Sequence, residues 1–245
     1  METVQKYILM YLFITLLWPV QNLLAMEGVE DFTQATNEFL QDNVKNGMVN
    51  YKGVKQNFSK VDQLYQQIAN ISLNNASDTE KKTFYINAYN VIVIHQIAKA
   101  FPVNSPMDIS GFFDETKHRV AGEMLTLNQL EKEKLLQPYN DPRVHFVLVC
   151  AAMSCPLLDN KAYQDQTLDR QLAARTEYAL NNSDFIKVNE AQKKVEISKI
   201  FEWYQGDFTQ NGQTVLTYIN QFRDKKIPSN YKVGYYEYDW SLNQQ

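Results

Sequence analysis

Apolar residues fall at Phe32, Ala35, Phe39 and Val44 along residues 29–44, close to the 3.6-residue period, and predict one amphipathic helix. A short extended stretch is expected over 48–54. The helical pattern returns over 59–71, with Ser59 or Asp62 placed to cap it. Residues 72–82, SLNNASDTEKK, are polar and turn-rich and predict an exposed loop. A central helix begins where Ser77 and Glu80 set up a capping box and stops before Pro102. It is apolar on almost every face, so it belongs inside the protein.

Thr126 heads a further helix that Pro138 should end. Residues 143–150, RVHFVLVC, are apolar and β-branched between NDP and AAMS, and predict a buried strand. Beyond them the pattern predicts a helix over 168–180, a hairpin over 185–199, a helix over 212–222 and a last strand within 231–240. No repeat of 20–50 residues and no linker rich in Pro, Gly or Ser divides the chain. Helices interspersed with strands around one core give an α+β class: a single compact domain with helices packed on a small, mostly antiparallel sheet. The expected organisation is a signal peptide over 1–25, an N-terminal helical extension over 26–75 and a core domain over 76–245.

The leader expectation comes from Lys6, an apolar run from Tyr7 to Val20, and a small residue at Ala25. That run is 14 residues long, short of the roughly 20 that a membrane-spanning helix needs. Cleavage near Ala25 would make the protein secreted or periplasmic, with no stable transmembrane span. A formal charge of −4 gives no sign of a nucleic-acid partner. The partners left open are a small molecule or peptide, or an envelope protein. In an oxidising compartment the chain's two cysteines, Cys150 and Cys155, are expected to be bridged or functional.

Four blocks, FYINAYNVIVIHQI, RVHFVLVCAAMSCPLL, VEISKIFEWYQGDF and the terminal YDWSLN, occur in that order. Together they closely resemble the DUF547 family, a domain of unknown function found in bacteria and plants. The resemblance runs from about Phe84 to Asn243. GEMLTLNQLEKEKLL resembles the family's Gly-x-x-Leu-Ser-Leu-x-x-Ile-Glu block, with Thr126 and Leu130 at the Ser and Ile positions and Glu131 on the acid. The histidine that commonly follows that acid is absent, since Lys132 and Glu133 stand there. The resemblance implies no established reaction.

Side-chain chemistry leaves several readings open. If residues 143–150 form a regular strand, His145 faces away from Cys150, and the AAMS turn returns Cys155 to the histidine's side. A short helix opening at Pro156 would put Cys155 at its N-cap, where the helix dipole favours a thiolate. Cys155 is then the candidate nucleophile, with His145 or His95 as base and Glu131, Asn87 or Asn90 as orienter. Ser154 is a neighbouring hydroxyl, and backbone amides of the AAMSC turn would meet an oxyanion. Such a site places the chain beside papain-like or transglutaminase-like hydrolases and acyltransferases acting on an amide or thioester, by site chemistry alone. The competing reading is a Cys150–Cys155 disulfide in a non-catalytic binding or assembly module of the cell envelope. Zinc held by the two cysteines and a histidine is weaker, because structural zinc favours four ligands at tighter spacing; no cofactor is expected. His95 reads as a core residue, and His118, in a charged stretch, as a surface one. The aromatic blocks FEWYQGDF and GYYEYDWSLN read as core packing, or as a groove for peptide or sugar.

Overall fold

The computed structural model describes residues 28–245, so the leader expected over 1–25 lies outside the described residues. On the N-terminal side are helices α1 (Val29–Asn43), α2 (Tyr51–Gln56), α3 (Phe58–Asn70) and α4 (Asp78–Ala100). Among the described residues no helix is long and apolar enough to cross a membrane.

The start of α4 is the expected capping box. Glu80 N donates to Ser77 Oγ at 3.2 Å, and Ser77 N donates to Glu80 Oε2 at 2.7 Å. The helix is buried from Lys82 to Ala98 apart from half-buried Tyr85, and α1, α2 and α3 pack around it. The N-terminal extension therefore shares one core with α4: Phe32 and Phe84, for instance, meet with ring centroids 5.5 Å apart.

Two local expectations change here. Residues 48–54 are extended only over strand β2 (Met48–Val49), which pairs with β1 (Val44–Lys45). The turn between them, Asn46-Gly47, has φ of 53° and 81°, the left-handed pair that a two-residue hairpin demands. Asn50 then caps α2, accepting from Gly53 N at 2.9 Å. Helix α3 starts at Phe58 with Asn57, rather than Ser59 or Asp62, in the cap position, and the Asn57 side chain donates back to Gly53 O instead of capping.

Strands β3 (His118–Val120) and β4 (Glu123–Leu125) form a short antiparallel hairpin packed on α3. Thr126 caps α5 (Leu127–Glu131), with Gln129 closing the box. Pro138 does not end this helix. The chain widens into a π turn over Lys132–Leu136 and continues through α6 (Gln137–Tyr139), stopping at Asn140 with φ 47°. A wider turn relieves the clash of a proline ring with the carbonyl four residues back.

The C-terminal side holds α7 (Leu168–Asn181), strands β5 (Ile186–Asn189) and β6 (Lys194–Ile197), the short turns α8 (Ile200–Trp203) and α9 (Gln205–Phe208), α10 (Val215–Phe222) and strand β7 (Lys232–Tyr235). The predicted hairpin is β5–β6, with Ile186 opposite Ile197, and β7 joins β6 in parallel. The domain is α+β, but among the described residues its strands form three small sheets rather than one. A second apolar cluster, around Phe146, Phe185, Phe201 and Phe208, lies under the three-stranded sheet.

The predicted strand over residues 143–150 is the largest departure. Asp141 caps a 3-10 turn over Pro142–Phe146, accepting from Arg143 N at 3.1 Å, and Lys82 anchors the same carboxylate at 2.7 Å. Val147 to Val149 then run without a strand partner. Their ladder is replaced by one side chain: Asn90 Nδ2 donates to Val147 O at 2.9 Å, and Val149 N donates to Asn90 Oδ1 at 3.0 Å. The chain's end closes the domain, since Val49 N donates to Asn243 O at 2.9 Å and Met153 N to Ser241 O at 2.8 Å. This stitching carries Tyr238 and Trp240 over the cysteine turn.

Candidate functional site

A cavity of about 390 Å³ opens where α5, the 3-10 turn, the cysteine turn, α8 and the C-terminal tail meet. Its floor is sulfur. Cys150 and Cys155 are joined in a disulfide, and the Tyr238 hydroxyl lies 3.2 Å from each Sγ. Ala151, between them in sequence, holds φ at 64°, a left-handed conformation that costs a non-glycine residue about 1–2 kcal/mol. Asn243 N secures it by donating to Ala151 O at 2.9 Å.

His145 and Glu131 stand in the wall with both cysteines, so the structure brings these four sequence candidates together. The expectation that His145 and Cys150 face opposite ways fails because it assumed a strand where the chain makes a 3-10 turn. Asp207, which sequence reasoning missed, is the histidine's partner: His145 Nε2 lies 2.7 Å from Asp207 Oδ2. The carboxylate holds the ring proton on Nε2 and leaves Nδ1 as the basic nitrogen. The imidazole sits between Tyr204 and Phe208, with centroids 4.2 and 5.1 Å away. The one signal for Asp207 was an acid set within the aromatic block FEWYQGDF, where it needs a partner.

Glu131 is only 7 % exposed and forms no ion pair among the described residues. Burial pushes its carboxyl above the usual carboxylate range, against the opposing pull of the Tyr204 hydroxyl and of His145. Burial likewise raises the Tyr204 and Tyr238 hydroxyls, so both remain protonated donors at neutral pH. Trp203, Tyr238 and Trp240 form a ledge at the cavity's edge, with ring centroids 4.7–5.9 Å apart. Trp203 remains 48 % exposed.

The other sequence candidates lie elsewhere. Asn87 clamps Tyr163, donating to its carbonyl at 2.9 Å and accepting from its N–H at 3.0 Å, just as Asn90 clamps Val147 and Val149. Both amides are structural. Ser154 Oγ accepts from Asp239 N at 2.8 Å and faces a different cavity. The segment after Cys155 is not helical, so Cys155 has no N-cap dipole. The turn amides are also spent: Met153 and Ser154 donate to the C-terminal tail, and Cys155 N donates to Ala152 O at 3.1 Å.

His95 and His118 form a separate buried cluster. His95 Nε2 lies 3.1 Å from Asp62 Oδ1, and its ring stacks on Tyr65 at 4.1 Å. His118, expected at the surface, is 3 % exposed; its Nδ1 meets the Tyr65 hydroxyl at 2.9 Å and its Nε2 is buried without a partner. The hairpin register explains the error: His118 and Val120 point inward on the same face, Arg119 outward. Among the described residues no group of three or more metal-ligating side chains is assembled.

No curated protein and no solved structure matches this chain. Residues 73–178 match the family described as Protein of unknown function, DUF547. That span holds Glu131, His145 and both cysteines, while Asp207 and the aromatic ledge follow it in the chain. The cysteine turn, the Thr126 cap and the buried INAYN amides all lie inside the matched segment, so this part of the chain is what is similar to the DUF547 family.

Proposed function

We propose that the chain is an exported, non-catalytic binding domain of the cell envelope that holds a small molecule or a peptide group in the disulfide-floored aromatic cleft. One observation carries this reading: both sulfurs are bonded to each other at the base of a cavity walled by tyrosine and tryptophan. A bridged cysteine is no nucleophile, and the cavity's size and largely apolar lining suit a small ligand. Export rests on the N-terminal apolar run and agrees with a bridge that persists only in an oxidising compartment.

The His145–Asp207 pair favours a second reading. Reduction would free Cys155 in the same cavity as a histidine already oriented by a carboxylate, the residue types a thiol hydrolase or acyltransferase needs. Intact-mass spectrometry after denaturing alkylation, with and without prior reduction, separates the two. The binding reading expects no label without reductant and two labels with it. Free thiols in protein taken from its native compartment, or reductant-dependent hydrolysis of an amide or thioester lost in Cys155→Ser, would favour the second. The binding reading also expects the Cys150→Ser, Cys155→Ser double variant to lose about 2 kcal/mol of stability, the entropy of so short a loop.

A further inference from the structure

We propose that the cleft is selective for an organic cation, an ammonium group carrying apolar substituents, seated between the aromatic ledge and Glu131. This rests on the binding reading above and names its ligand class. Among the described residues the cavity lining includes two carboxylates, Glu131 and Asp114, and one imidazole, His145, whose partner Asp207 lies behind the wall; it contains no lysine or arginine. Glu131 is the decisive residue. It is more than nine-tenths buried, faces the cavity, and has no ion-pair partner among the described residues. Burial disfavours the ionised form of this carboxyl, which only the Tyr204 hydroxyl and more distant charges support, and a cation bound in the cavity would stabilise that charge directly.

The aromatic residues supply the second half of the site. Trp203, Tyr238 and Trp240 pack against one another closely enough to form one continuous surface rather than an open cage. A cation within about 6 Å of such a face is attracted by the ring quadrupole, more strongly as water is excluded. Met107, 59 % exposed at the same rim, adds a flexible apolar contact for alkyl substituents. Anionic ligands are disfavoured, since a phosphate or carboxylate would lie beside Glu131 and Asp114 with no lysine or arginine among the described lining residues and with His145 already paired to Asp207. A neutral sugar can stack on the ledge but offers the Glu131 carboxyl no counter-charge. The cation can be a free small molecule or a lysine-type side chain of a peptide, and both present the same chemistry.

Calorimetric titration of the full, oxidised chain tests this, with tryptophan fluorescence as a second readout. The probes are choline, its uncharged isostere 3,3-dimethyl-1-butanol, Nα-acetyl-trimethyllysine amide, and cellobiose. The expected result is that at least one cation binds ten-fold or more tighter than the isostere, about the discrimination one desolvated charge gives. Choline prevailing would point to a free ligand, the lysine derivative to a peptide side chain. Glu131→Gln should reduce the ratio to roughly two-fold, the remainder reflecting cation–π attraction. Asp114→Asn, at an exposed position that does not threaten folding, should weaken cation binding by about two- to three-fold, as expected of a solvent-screened charge. Equal binding of choline and isostere, or tighter binding of cellobiose, would overturn the cation inference and leave the binding reading standing. No binding of any of the four would remove both.

Discussion

A histidine meets a carboxylate at two places in this protein, and the surroundings differ. His95 and Asp62 sit 3.1 Å apart between α4 and α3, covered by Tyr65 and Phe58, within a core assembled by helical periodicity. His145 sits on a cavity wall built from a 3-10 turn, a partnerless extended segment and the C-terminal tail, with Asp207 2.7 Å behind it. In the first region apolar spacing places the side chains. In the second, individual polar side chains hold the backbone, and the chain is free to leave regular structure where a cavity is needed.

The sharpest way to break that contrast is to remove one clamp. Asn90→Ala should destabilise the protein by about 4 kcal/mol, because Val147 O and Val149 N each lose a buried partner at roughly 1–3 kcal/mol and a small void opens. Urea unfolding measures it. A loss below about 1 kcal/mol would mean that packing, not the Asn90 amide, holds the cleft wall.

Acid should act on the other region. Burial holds His118 down to about 4, with the charges of His95 and Lys99 adding to it. An unfolded histidine titrates near pH 6.5, so above that pH neither state is protonated and stability is full. As pH falls from about 6.5 towards 4, the unfolded chain takes up a proton the native one refuses, and about 3 kcal/mol is lost. In His118→Gln this acid leg should shrink, the remainder coming from His95, whose pKa burial also lowers. Equal acid legs in the two proteins would place the sensitivity outside the helical core.

The contrast also explains what the sequence makes legible. Ser77 to Glu80, Thr126 to Gln129, the β5–β6 hairpin and α7 are encoded by neighbours, so local pattern finds them. The departure at residues 143–150 depends on Asn90, more than fifty positions earlier, whose amide replaces a neighbouring strand. No periodicity reports such a clamp. The sequence brought out Cys150, Cys155, His145 and Glu131 because their chemistry is rare or matched a family block, and the cavity unites them. Asp207 went unrecognised because acids are common, and the two aromatic blocks, read as core packing or as a groove, left open which rings line a cleft until the fold placed Trp203, Tyr238 and Trp240 on it. His118 misled because β3 is too short for its in-out alternation to stand out from charged neighbours.

The smallest expected effects compare the two carboxylates directly. Asp62 and Asp207 have side chains 44 % and 36 % exposed, so water screens both. Asp62→Asn and Asp207→Asn should each change stability by less than about 1 kcal/mol. The two variants should then part in the cleft. Asp207→Asn removes the carboxylate charge and lets an amide N–H compete for Nε2, so the His145 tautomer is no longer fixed and the ring can turn between Tyr204 and Phe208, disturbing the wall against which Glu131 and Tyr204 lie. Choline affinity should fall with Asp207→Asn and stay unchanged with Asp62→Asn, whose histidine is outside the cavity lining. Histidine-selective NMR gives the complementary readout: choline should shift the His145 ring signals in the wild type and leave His95 and His118 where they were. Movement of all three together would mean that the helical core and the cleft respond as one unit, and the division between a packed region and a clamped one would have to be abandoned.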